Sequence, residues 1–416
     1  MTDLPQAAPA QRQRVVVVDM AIARDSPAGS CVLAEVEGLT RRFDVTVFSE
    51  RFERDPLPGV EFVRVRAPAR PVLLRYVAFH VGMPLQHLLW RLRGGRADCV
   101  QATQGQLPGA DICYAHFCHA AYLGTHWKAT VATGPRRWAR WATHAFNAWC
   151  EARAFASARI IVVPSHGLRA EIEARYPSSA AKLRVIANPV DTARFTRPPG
   201  FDRTAARAAL GFGPDDRVLA FMALGDFARK GLGILMQALA GARAGVQARV
   251  RILVIGGQAG EVREYAAMAR ALNLGETVCF VGMQSDVRPH LWASDVFAFP
   301  SAYEIFSLAI LQAAAAGLPV MVTRGLYGAE EFVVDRHNGW AVPRSAADVT
   351  AWLDRLPLDG DVLARMGRAA AASVAQYAIE PFRERWIALI DSLTAGQATP
   401  ASVGQTAAHT RQAQIP

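Results

Sequence analysis

The chain has 416 residues, 51% of them apolar and 20% charged, with a formal net charge of +10. That length exceeds what one hydrophobic core ordinarily serves, so two domains are expected, and the composition excludes a collagenous, low-complexity or disordered protein. The most apolar stretch, 71–90, is interrupted by Arg75, His80, Pro84 and His87, which argues against a membrane span, and six scattered cysteines without a CxxC or zinc-like spacing read as reduced thiols.

Residues 1–13 carry no secretory pattern and are expected to form a flexible tail. Arg14-Val15-Val16-Val17-Val18-Asp19 predicts a buried strand, followed by the loop Asp25-Ser26-Pro27-Ala28-Gly29 and a helix from about Ser30. Strands are then predicted at 44–48, 60–65, 99–100 and 111–114, a long helix over about 135–158, and a strand at 159–165 that enters another helix. Alternating strand and helix predicts a parallel sheet covered on both faces. The proline-rich passage from Asn188 to Gly200 breaks the rhythm and reads as an interdomain hinge. A second series follows, with strands at 217–222, 250–255, 278–281, 296–299 and 319–323. The expected fold class is therefore α/β, two Rossmann-like doubly wound domains facing each other across a cleft. The expected domains are 14–195 and 196–378, followed by an amphipathic helix at 379–395 and a small, polar tail at 396–416.

Charge is unevenly placed. Between residues 51 and 160, fifteen Lys or Arg stand against six Asp or Glu. Apolar and aromatic residues interleave with the basic ones, as in Arg136-Arg137-Trp138-Ala139-Arg140-Trp141. This pattern suits an anionic membrane surface, where each nearby charge contributes about 1 kcal/mol. It equally suits a solvated helix face with tryptophans in the core. No nucleic-acid-binding module is recognisable, and no nucleic-acid partner is expected.

The segment 300–343 carries the chemistry. A buried strand ending at Pro300 runs into a short loop bearing Glu304, and an alanine-rich helix follows. A carboxylate and small residues at a strand's carboxyl end, ahead of a helix amino terminus, can hold a phosphorylated ligand, because unpaired amides and the helix dipole favour anions. A second segment, Gly225-Asp226-Phe227-Ala228-Arg229-Lys230-Gly231, sets two cations after the first strand of the second domain. A third, Asp111-Ile112-Cys113-Tyr114-Ala115-His116-Phe117-Cys118-His119, sets histidines at the carboxyl end of a first-domain strand. Together with Ala28-Gly29 in the first loop, these segments resemble the family 4 glycosyltransferases, which share the GT-B fold and retain anomeric configuration.

The resemblance implies roles. Arg229 and Lys230 would pair with the donor diphosphate, and Gly29 would let backbone amides approach it. Glu304 would lie by the donor sugar as a catalytic carboxylate, with Phe306, Ser307 and Leu308 offering amides to sugar and phosphate. The family's two glutamates flank seven residues, and the second position is Gln312 here, which keeps an acceptor oxygen for the ribose but loses the charge. His116 would contact the donor sugar as the second catalytic residue, with His119 the alternative, and Glu330 would line the donor pocket. The co-substrate would be a nucleotide-diphosphate sugar and the acceptor a glycan or glycolipid, with neither metal nor other cofactor. The last helix would return to the first domain. Leu107-Pro108-Gly109-Ala110-Asp111 and Gly225-Asp226-Phe227 are similar to lipopolysaccharide-core glucosyltransferases. That implies cell-surface polysaccharide assembly from the cytoplasm, peripheral to the inner face of the cytoplasmic membrane. A GT-B sugar-nucleotide epimerase and a non-catalytic interaction protein are the alternatives, the second because of Gln312.

Overall fold

The computed structural model describes residues 12–53, 57, 59–127 and 134–395. Most of the expected amino-terminal tail, and all of the 396–416 tail, lie outside the described residues. In the first half, strands β1 (Arg14–Val18), β3 (Asp44–Ser49), β5 (Glu61–Arg64), β6 (Cys99–Thr103), β7 (Ile112–Tyr114), β8 (Ile160–Val163) and β9 (Leu183–Val185) form one parallel sheet. A short pair, β2 (Ala21–Ile22) and β4 (Arg51–Phe52), stands beside it. The order β5-β3-β1-β6-β7-β8-β9 reverses direction at β1, where a doubly wound sheet opens a crevice at its carboxyl edge. In the second half, β10 (Arg217–Ala223), β11 (Val250–Gly256), β12 (Val278–Gly282), β13 (Val296–Phe299), β14 (Val320–Thr323) and β15 (Gly339–Val342) are ordered β12-β11-β10-β13-β14-β15. All the pairings are parallel, and the central strands are apolar runs buried on both faces.

Several local expectations are corrected. The first helix starts at Pro27 rather than near Ser30, because Ser26 caps it by accepting from the Gly29 amide at 3.2 Å. The strands β9 and β15 are only three and four residues long and lack an alternating pattern. In β15, Gly339 is required by packing, since an added Cβ would lie 2.2 Å from the Val320 carbonyl oxygen. The stretch from Val72 to Leu92 is one helix that carries Pro84 internally.

The chain crosses between the halves twice, side by side. Ala187, Val190 and Phe195 already pack in the second domain's core, so the first crossing lies before the expected 195/196 boundary. The return runs alongside it: the Val190 amide donates to the Tyr377 carbonyl at 2.8 Å, and Val190 bridges Ala378 in parallel. The helix Ile379–Ala395 then packs on the first domain, burying Phe382, Trp386 and Ile390 among β1, β3 and the Pro27–Leu39 helix. Trp386 lies against Tyr114 at 4.9 Å between ring centroids.

Candidate active site

The second domain brings two strand ends together. After β10, Asp226 adopts a left-handed conformation (φ 61°) and the turn Phe227–Lys230 follows. It ends at Gly231 (φ 86°), where a Cβ would lie 2.2 Å from the Pro300 carbonyl oxygen after β13. Glycine therefore lets the basic turn lie directly on the Glu304 loop. The Ala302 amide donates to the Arg229 carbonyl at 2.8 Å, and Arg344 fastens both segments by donating to the carbonyls of Pro300 (2.9 Å) and Ala228 (3.1 Å).

The side chains converge accordingly. Lys230 pairs with Glu304, Arg229 reaches the same carboxylate at 3.3 Å, and the Ser301 hydroxyl donates to it at 2.8 Å. Arg229 also donates to the Tyr303 carbonyl at 2.5 Å and to Asp226 at 2.8 Å. Only 14% of the Lys230 side chain and 11% of that of Glu304 are exposed, so solvent screens this pair weakly. Burial pushes the Lys230 ammonium below its usual range, and the Glu304 carboxylate opposes that shift. Both cations expected at the diphosphate thus have Glu304 as their counter-ion.

The other second-domain residues make contacts of their own. Ser307 is the N-cap of the helix Leu308–Ala315 and its side chain makes no capping bond. Leu308 opens that helix, and Gln312 lies half-buried one turn further on. The Phe306 ring is buried, edge-on to Tyr377 at 5.1 Å, and its carbonyl accepts from Asn188, at the crossing between the halves, at 3.2 Å. Glu330 is exposed. The carboxylate that reaches the first domain is its neighbour Glu331, which accepts from the His166 amide at 2.7 Å. Gly29 also has a task within the fold. Its amide is taken by Ser26, and an added Cβ would sit 1.8 Å from the Ala21 carbonyl oxygen, so this glycine serves the close approach of helix and strand.

On the first-domain wall, His116 follows β7 and lies 4.0 Å from the Tyr114 ring, and burial pushes its imidazole down to about 4. The ring is therefore neutral at physiological pH. Tyr114 donates to Asn188 at 3.2 Å, and Asn188 donates to Phe306, which carries the contact line from beneath His116 to the Glu304 loop. His119 is turned to a different neighbour, with its Nδ1 lying 3.0 Å from His144 Nδ1. Glu151 carries no motif that marks it, yet its buried carboxylate accepts from the amides of His119 (2.8 Å) and Ala120 (2.9 Å) and from Tyr176 (3.1 Å). It anchors the histidine loop to the Gly134–Ser157 helix.

Tyr303 was also missed. Its hydroxyl crosses the cleft to Glu171 at 2.9 Å, and its ring meets His126 at 4.2 Å and Phe117 at 5.7 Å. Among the described residues no group of three or more His, Cys, Asp and Glu side chains is placed to hold a metal.

Two family models match this architecture half by half. Residues 28–194 match the one described as Glycosyltransferase Family 4, and residues 216–357 the one described as Glycosyl transferases group 1. The chain belongs to the family 4-like glycosyltransferases. A D-inositol 3-phosphate glycosyltransferase of Corynebacterium urealyticum is 30% identical to it over 257 residues, 59% of each chain. An uncharacterized glycosyltransferase of Methanocaldococcus jannaschii is 24% identical over 332 residues, 78% of this chain and 83% of that one. The match thus spans less than two thirds of the first relative's length. Among solved structures, WaaG, a glycosyltransferase involved in lipopolysaccharide biosynthesis, superposes with a TM-score of 0.73 at 18% identity, covering 92% of this chain and all of WaaG. Anabaena HepE in complex with UDP and glucose gives 0.65 at 19% identity, covering 91% of this chain and all of HepE. The fold of this family 4-like glycosyltransferase is GT-B.

Proposed function

We propose that this protein transfers a sugar from a nucleotide-diphosphate donor to an acceptor hydroxyl with retention of configuration, in cell-surface polysaccharide or lipopolysaccharide assembly. The observation that carries the reading is the convergence of Lys230 and Arg229 on Glu304 at the carboxyl ends of β10 and β13. Transferring the sugar leaves a nucleoside diphosphate, and neutralising that leaving group is the main electrostatic demand. Two pre-placed cations meet it. The incoming phosphates would draw Lys230 and Arg229 from Glu304, freeing the carboxylate for the donor sugar's hydroxyls. His116, held neutral, would touch the sugar without placing a positive charge beside the developing oxocarbenium ion. The acceptor would attack from the leaving group's own face, and closure of the halves would keep water from competing.

The test is a thermal-shift panel of UDP-, GDP- and ADP-sugars, followed by transfer assays with the one that binds. The expected outcome is stabilisation by one class, lost in Lys230→Ala; stabilisation by none would sink the reading. Gln312 in place of the second acid keeps a non-catalytic interaction protein as the alternative, which the absence of any nucleotide binding would favour.

Peripheral contact with an anionic membrane, on the cytoplasmic side, belongs to the same reading. No helix of the described residues is long and apolar enough to cross a membrane. The Val72–Leu92 helix exposes Val81, Leu85, Leu88 and Leu92, and the neighbouring Gly134–Ser157 helix exposes Trp138, Trp141 and Trp149. These tryptophans are therefore not core residues, the other option left open by the sequence. Arg153 stacks over Trp149 at 3.4 Å, pairing cation and aromatic on the exposed face.

A further inference from the structure

Glu171 is a buried carboxylate that the transfer chemistry above does not use. It stands on the first-domain helix His166–Arg175, and 7% of its side chain is exposed. One oxygen, Oε1, accepts from the Tyr303 hydroxyl across the cleft. The other, Oε2, has no hydrogen-bond partner among the described residues, and His126 Nε2 lies 3.8 Å from it. Burial pushes Glu171 up to about 7 and His126 down, so near neutral pH these two do not form a full ion pair. An acceptor oxygen buried without a donor costs about 1–3 kcal/mol, and such groups call for an explanation.

The surroundings supply one. Phe117, Tyr122 and His126 present rings around the same point, each within 6 Å of the Tyr303 ring between centroids. Aromatic faces beside a carboxylate match the two sides of a sugar ring, its C–H face and its hydroxyls. Tyr303 also immediately precedes Glu304, so this wall adjoins the donor side of the cleft.

We propose that Glu171 and His126, with the rings of Phe117 and Tyr122, form a hydroxyl-binding site for a neutral sugar ring of the acceptor, closed in this conformation by Tyr303. This rests on the transferase reading of the cleft and names its acceptor-side chemistry. When the halves part, the Tyr303 phenol leaves and both Glu171 oxygens can accept, from vicinal hydroxyls of a sugar lying against the rings.

The probes are methyl glycosides of glucose, galactose and mannose at millimolar concentration, followed by saturation-transfer NMR on the full chain. At least one is expected to bind the wild type. Glu171→Gln should weaken that binding roughly tenfold, about 1.4 kcal/mol, while keeping its nucleotide-sugar thermal shift and its own melting curve. Tyr303→Phe, which frees Oε1 without removing the ring, should tighten it. The proposal is overturned if no glycoside binds the wild type, if Glu171→Gln binds as well as the wild type, or if nucleotide-sugar binding falls by the same factor. A wild type that binds a glycoside but no nucleotide sugar overturns the transferase reading instead.

Discussion

Lys230 and Glu304 are each buried in a site whose net charge depends on the other, and this makes their individual contributions separable. Removing Lys230 leaves the buried Glu304 to Arg229 at 3.3 Å, so the cost falls below the ~3–5 kcal/mol of a pair broken outright. Lys230→Ala should therefore lower the melting temperature as well as abolish nucleotide-sugar binding. The double variant Lys230→Ala/Glu304→Gln should regain most of the melting temperature and none of the binding, as read by differential scanning fluorimetry with and without donor. Recovery of binding in the double variant would mean that Lys230 serves structure alone. The buried imidazoles govern the response to acid. Burial holds His119 at about 3 and His144 at about 4, whereas an unfolded histidine titrates near 6.5. Between these values the unfolded chain binds protons that the folded chain refuses, so each histidine's cost is absent above pH 6.5 and grows as pH falls towards 4. His144→Gln removes one such group. After allowing for the partial exposure of His144, its loss of stability from pH 7 to pH 5 should be smaller than that of the wild type by ~1 kcal/mol in urea melts. Equal slopes would show that His144 is not the group refusing the proton.

Among the elements, the strands were the more legible part and the contacts between distant loops the less. Central strands such as Val15 to Val18 and Val296 to Phe299 are unbroken apolar runs, because both of their faces are covered. The edge strands β9 and β15 had no such run to betray them. The Lys230 and Glu304 segments could be read because each carries its chemistry within a few adjacent residues at a strand's end. Glu171 and Tyr303 are 132 positions apart, and Glu151 lies 32 from His119, so only the folded chain brings them together. The packing role of Gly29 was hidden for a related reason: the carbonyl it accommodates, that of Ala21, belongs to a strand outside its own segment. The helix Ile379–Ala395 shows how far an element can act from its own domain. Trp386 on it is fully buried in the first domain's core, so Trp386→Ala should cost about 3–5 kcal/mol in urea unfolding. The loss is expected in the first domain's transition if the two halves unfold separately. A change below about 1 kcal/mol would mean that the helix docks only loosely.

For the whole molecule, the exposed leucines and tryptophans lie on the half that also carries the basic excess. Sedimentation with phosphatidylglycerol vesicles should recover the protein at low salt and release it as salt rises, because counter-ions screen the arginines. Replacing Trp138 and Trp141 by serine should weaken binding at every salt concentration. Binding to neutral phosphatidylcholine vesicles alone would contradict an electrostatic component. If the apolar half rests on a bilayer, the other half is left to move. The paired crossings at Val190 and Ala378 determine how it can do so. A body held by two neighbouring threads pivots about the line through them, as a gate swings on adjacent pins, and has little freedom to slide or corkscrew. The loop bearing Glu304 would then travel along one arc, arriving in the same orientation on every cycle.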